Sequence, residues 1–170
     1  MKKLLFLSAV TALAVTTTFG QGDKSKRPSP PAKVTETTNK GVTITIDYSQ
    51  PSLKGRTIGK DVAPYGEIWR AGANEPTTIE VSKDVKVGGH DLPAGKYSLW
   101  AVPGEKEWAI VINKEVPRWG TMYPEGKDLF RVNVKPAKAA QASELMTYKI
   151  AKNGKVSLLW GDTEIDFTVQ

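Results

Sequence analysis

The stretch Trp69-Arg70-Ala71-Gly72-Ala73-Asn74-Glu75-Pro76 sets a guanidinium, a carboxamide and a carboxylate beside an indole, just ahead of the strand-like run Thr77 to Val81. A guanidinium binds carboxylates, phosphates and carbonyl oxygens through a planar fork of N–H donors. A carboxylate takes up protons or accepts hydrogen bonds, and an indole offers a stacking face. In a regular strand Arg70 and Asn74 share one face and Glu75 points to the other. At about 3.3 Å per residue, Arg70 and Glu75 also stand about 16 Å apart, so they meet only where the chain bends. Gly72 permits that bend through positive φ, and Asn74 tolerates the left-handed region. Pro76 holds Glu75 extended and starts the next strand.

Two uses of this bend compete with a plain connection. As a strut, Arg70 and Glu75 form an ion pair that pins a crossover under the Trp69 ring. As a site, Arg70 binds an anionic or carbonyl group, Glu75 acts as base or acceptor, and Trp69 stacks on the ligand. Trp69, Arg70, Asn74 and Glu75 are therefore the candidate ligand-binding residues, with Arg70 expected to be partly buried and Asn74 and Glu75 nearer the surface.

Other chemistry finds little support. His90, the only histidine, lies in Gly88-Gly89-His90-Asp91, which carries turn chemistry and no metal-ligand spacing. No Gly-x-Ser-x-Gly places a nucleophile, and Gly55 and Gly59 lack the helix that a phosphate loop requires. A glycosidase needs two carboxylates about 5 to 10 Å apart, and Glu67, Glu75 and Glu80 single out no pair. No catalytic residue, metal ligand or cofactor is assigned. Trp100, Trp108 and Trp160 fall in strand-like runs and are expected in the core. Trp69 and Trp119 fall in connections, where an aromatic can anchor a ligand or a partner.

The elements that must position these residues alternate with period two. Val42, Ile44, Ile46 and Tyr48 form one such face; Ile79 with Val81, Val85 with Val87, and Phe130, Val132 and Val134 form others. Val156, Leu158 and Trp160 follow the hairpin signal Asn153-Gly154, and Ile165, Phe167 and Val169 close the chain. Tyr97 to Val102 and Trp108 to Ile112 are apolar on both faces and are expected as paired central strands across the tight connection 103–107. Only Ala137 to Met146 has helix-friendly composition, enough for one or two turns. Many short strands between turn signals indicate an all-β domain, a single antiparallel β-sandwich or flattened barrel with at most one short helix.

The chain ends and composition bound the setting. Lys2-Lys3, the apolar run Leu4 to Val15 and Thr18-Phe19-Gly20 form the pattern of a cleaved signal peptide over residues 1–20. A membrane anchor needs about 20 apolar residues, and Thr16-Thr17-Thr18 closes this run first. Residues 21–33, with no apolar side chain larger than Ala, read as a disordered leader, and the β domain is expected over 34–170. The absence of Cys excludes disulfides, thiolate metal sites and the lipid-bearing Cys of a lipoprotein. The formal net charge of +6 includes Lys2 and Lys3, and the other cations are interleaved with acids, as in Lys83-Asp84 and Glu105-Lys106-Glu107. A nucleic-acid binder clusters its cations on one face, so nucleic acid is not expected as a partner.

Pro64-Tyr65-Gly66, Trp69-Arg70, Gly72-Ala73-Asn74-Glu75, Leu92-Pro93-Ala94-Gly95-Lys96-Tyr97-Ser98, Pro103-Gly104 and Trp108 occur here in that order. In this the chain resembles the exported bacterial family catalogued as domain of unknown function 2911, over most of residues 34–170. The resemblance implies an exported all-β domain and brings no established activity, ligand or catalytic residue. The reading that follows is an exported binding or interaction module of the bacterial envelope, periplasmic or extracellular, soluble and not membrane-spanning. Its partner is an unidentified small molecule, glycan or envelope protein. The alternatives are a small hydrolase or lyase using Arg70 and Glu75, and an envelope scaffold without a ligand.

Overall fold

A computed structural model describes residues 23–170. The expected signal peptide over residues 1–20 lies outside the described residues. The strands are β1 (Pro31–Thr37), β2 (Thr43–Ser49), β3 (Ile58–Gly59), β4 (Val62–Pro64), β5 (Thr78–Val81) and β6 (Val85–Val87). They continue with β7 (His90–Leu92), β8 (Gly95–Val102), β9 (Trp108–Asn113), β10 (Asp128–Val134), β11 (Ala137–Ile150) and β12 (Lys155–Thr168). Among the described residues the helical content is a single 3₁₀ turn, Lys24–Lys26. No described helix is long and apolar enough to cross a membrane.

The fold is all-β, but it is built from several sheets rather than a single sandwich, and the sheets do not close into a barrel. A six-stranded antiparallel sheet runs β1-β2-β5-β8-β9-β10, and β11-β12, β6-β7 and the short parallel pair β3-β4 stand as two-stranded units. The β11-β12 ladder is itself irregular, and isolated bridges link the units. Register shifts interrupt β11 and β12 between Lys138 and Ser143 and between Ser143 and Thr147. A lone bridge, Val87 to Val169, ties β6 to the end of the chain.

The alternating patterns place the core as expected. Ile44, Ile46, Ile79, Leu99, Ile110 and Ile112 are all at most 2% exposed and face Leu158, Trp160, Ile165 and Phe167 in one contiguous cluster. Full burial of each such side chain contributes about 1.5–3 kcal/mol. Strands β8 and β9 pair from Ser98↔Asn113 to Val102↔Ala109, as the two doubly apolar runs require. Their second face is covered too, because the connection 114–127 lies over it and Trp100 meets Tyr123 there, ring centroids 5.0 Å apart.

Three expectations need correction. Ala137 to Met146 is strand, not helix: helix propensity is a weak prior, and pairing with β12 outward from the Asn153-Gly154 turn overrides it. The two strands expected near Trp160 and Phe167 are one element that turns back at Gly161 (φ 58°). Val169 N–H therefore donates to Gly154 O at 2.9 Å, which a straight strand of that length could not do. The leader expected over 21–33 is described from Asp23, and Pro31 to Lys33 already belong to β1, Pro31 pairing with Ser49. Composition hides this because the segment is held by charge and hydrogen bonds, not by apolar burial.

Candidate functional site

The loop that leaves Trp69 is bolted to the core at its first end. Trp69 and Ala101 exchange backbone hydrogen bonds of 2.7 and 2.8 Å. The indole stacks on Trp160 at 5.5 Å, planes 10° apart, and meets Trp108 edge-on at 6.2 Å. Trp69 is thus an anchor, half-buried with its ring packed against the core. The bend follows at Ala71, not Gly72: Ala71 sits at φ 49° and Asn74 at φ 58°. A non-glycine residue there is strained by about 1–3 kcal/mol and persists only where its surroundings fix it. Here the buried Ala71 carbonyl accepts from Thr77 Oγ1 and from the Tyr148 hydroxyl, each at 3.0 Å. Burial pushes the Tyr148 phenol well up from its ordinary range, so it stays protonated and donating. Gly72 serves close approach instead, since a Cβ there would stand 2.5 Å from Thr77 Oγ1.

The structure does not bring Arg70 and Glu75 together as a pair. Arg70 Nη1 donates to the Asn74 carbonyl at 3.2 Å, and partial burial pushes its guanidinium pKa down. Glu75 turns to the N-terminal segment. Arg27 Nη1 donates to both of its oxygens at 2.8 and 3.0 Å, and Lys24 Nζ lies 3.0 Å from Oε1. The Arg27 hydrogen bond, above all, holds the Glu75 carboxyl down at about 2. Asn74 binds the same segment, its Nδ2 donating to Ser29 O at 2.9 Å.

The local chemistry of that segment explains the fit. Asp23 caps the 3₁₀ turn by accepting from Ser25 N–H at 3.0 Å. Three residues per turn eclipse positions i and i+3, so Lys24 and Arg27 project to one side and reach the same carboxylate. Pro28, Pro30 and Pro31 then hold the chain extended, and Gln50 N–H donates to Pro30 O at 2.9 Å. A concavity of about 160 Å³ remains beside the contact, between Lys24, Pro31, Ala32, Tyr48, Glu75 and Pro76.

A third segment completes the junction. Gly120 N–H donates to Asn74 O at 3.2 Å, and a Cβ on Gly120 would stand 2.5 Å from that oxygen and 2.7 Å from Arg70 Cδ. The connection carrying Gly120 is clamped at Asp128, which accepts from Tyr123 OH at 2.6 Å, Arg131 Nη2 at 2.8 Å and Asn113 Nδ2 at 2.9 Å. Burial first, then the Asp128 carboxylate, raises the Tyr123 phenol to about 12. Outward, the same connection leaves Val116, Trp119 and Met122 at 45, 41 and 57% exposure. Trp119 is therefore the exposed loop tryptophan, while Trp100, Trp108 and Trp160 are each at most 2% exposed.

Lys24, Arg27 and Ser29 went unread in the sequence because they sit in a polar, proline-rich stretch. The available signal was an acidic cap followed by two cations three residues apart. Tyr123, Asp128 and Arg131 lie within nine residues but follow no pattern that sequence reading singles out, and Asn113 stands 15 residues before Asp128. His90 opens β7 and stacks on Phe130, rings 4.8 Å apart. Among the described residues no three His, Asp or Glu side chains gather as a metal site.

Residues 29–169 match the family described as a protein of unknown function, DUF2911. The chain belongs to this family. The match takes in Trp69, Arg70, Asn74, Glu75 and Gly120 of this DUF2911 domain, but begins after Lys24 and Arg27. No curated protein and no solved structure matches the chain.

Proposed function

We propose that the protein is an exported binding or interaction module of the bacterial envelope, with its recognition surface at the junction of Asn74-Glu75 and the loop carrying Trp119 and Met122. The observation that carries this reading is the state of Glu75. Its side chain is 34% exposed and is met by two cations, and Asn74 beside it binds a backbone carbonyl. A general base works best with a pKa near the operating pH, and a carboxyl held at about 2 is a poor one. It is a good fixed anion for recognition. Arg70, bonded to the Asn74 carbonyl, positions this surface from behind. Export is supported by the positive start, apolar run and small-residue cleavage pattern of residues 1–20.

The test is site-specific photo-crosslinking in intact cells, with fractionation of the product. A crosslinker at exposed Met122 is expected to give a discrete adduct in the periplasmic or released fraction. One at Glu105, in the turn at the far end of the β8-β9 pair, is expected to give none. Equal labelling from both positions, or protein confined to the cytoplasm, contradicts the reading.

A further inference from the structure

We infer that the Asn74-Glu75 face is a site for peptides that carry two cationic side chains three residues apart on a single turn and then run on extended, and that residues 24–29 are its tethered occupant. This rests on the binding-module reading and names the ligand class for that surface. What the face recognises in the segment is general to such peptides. Glu75 takes the two cations, Asn74 Nδ2 takes the Ser29 carbonyl, and Gln50 N–H takes the next carbonyl. None of these contacts depends on apolar side chains of the segment, and the 3₁₀ turn has no buried residue.

The contact is also built to exchange. The side chains of Lys24, Arg27 and Glu75 are 44, 32 and 34% exposed, and ion pairs so exposed hold weakly and are screened by salt. The anchor is elsewhere: β1 continues from Pro31 along β2 as far as Thr37. Residues 23–30 can therefore leave Glu75 while the sheet stays intact. Within the family match lie Asn74, Glu75 and Ser29, whereas Lys24 and Arg27 precede it. The receiving surface thus belongs to the domain, and the cations belong to an N-terminal extension of it.

A short tether holds its ligand at an effective concentration in the millimolar range. Such an occupant reduces the apparent affinity for a free peptide by the fraction of time the site is open, about tenfold where it is open about a tenth of the time. Removing the two cations therefore frees Glu75 without touching it, while the Ser29 and Pro30 carbonyls of the tether keep their partners.

The experiment is calorimetric titration of the full chain from Gln21 with a synthetic peptide of residues 23–31, Asp-Lys-Ser-Lys-Arg-Pro-Ser-Pro-Pro. The Lys24→Ala/Arg27→Ala chain is expected to bind it at least about tenfold more tightly than the wild type. Adding Glu75→Gln to that chain, or using a peptide with Ala at positions 24 and 27, is expected to abolish the binding. Should the double variant melt as the wild type does and still take up no peptide, the inference is overturned. Equal uptake of both peptides also overturns it. If the double variant does not fold, Arg27→Ala alone carries the same comparison, with a smaller gain expected. A failure here beside an intact Met122 adduct removes the ligand class and leaves the binding module; loss of the adduct removes the module itself.

Discussion

Trp69 and Glu75 belong to one short loop, yet the two ends of that loop are held by different physics. At the Trp69 end, three indoles and a two-bond backbone bridge weld the chain into the main core. At the Glu75 end the partners are Lys24, Arg27 and Ser29, polar groups of a segment that adds nothing to the core. Between them stands the strained Ala71, its carbonyl fixed by Thr77 and Tyr148. The difference shows how a small all-β domain presents a functional surface. A rigid end supplies position, and a polar end supplies recognition at little expense of stability.

The contrast is probed most severely at the rigid end. Trp69→Ala removes the ring stacked on Trp160 and is expected to destabilise the fold by about 3 kcal/mol, a fall in Tm of roughly 10 °C by calorimetry. A melting point within a degree or two of wild type would show that Trp69 is no anchor. Gly120→Ala sets a Cβ against the Asn74 carbonyl and should destabilise by about 1–2 kcal/mol while parting the two loops. Chemical shifts of Asn74 and Arg70 moving together report the parting, and an unchanged spectrum contradicts it.

The smallest effect belongs to the polar end. Glu75→Gln is expected to change stability at neutral pH by about 1 kcal/mol, less than the full depression of its pKa to about 2 would give, because the ion pairs are exposed and solvent screens them. Its sign with pH follows from the depressed pKa. The carboxylate contribution is fully present above its ordinary value of 4.5 and is lost as pH falls through about 2. Wild type and Glu75→Gln should therefore converge in Tm across that window. A gap that persists at pH 2 contradicts the assignment.

Much of the fold can be read from the residues alone. The two-residue period of Ile44-Ile46 and Ile79-Val81 marks the buried faces of the strands, and the doubly apolar runs at Leu99 and Ile110 announce a central pair. The Ala137 to Met146 run misleads, because Ala, Gln, Glu, Leu and Met say little once a partner strand is offered. The loop at Arg70 is visible as a bend with chemistry, and Asn74 does adopt positive φ. That the second such residue is Ala71, and that Gly72 is small to admit Thr77, depends on tertiary contacts no local pattern carries. The partner of Glu75 is hidden for a related reason. Lys24 and Arg27 are remote in sequence from Glu75, and only the eclipsing of a 3₁₀ turn brings them to one side.

Everything proposed for this surface depends on Glu75 being held by the N-terminal segment and not by Arg70. NMR titration of the Glu75 carboxyl carbon in three chains decides the matter: wild type, Lys24→Ala/Arg27→Ala, and Arg70→Lys. The expected result is a pKa of about 2 in the wild type, a return toward 4.5 in the double alanine variant, and no movement in Arg70→Lys. A value that stays near 2 without Lys24 and Arg27, or one that rises when only Arg70 is changed, shows that the N-terminal segment does not hold Glu75.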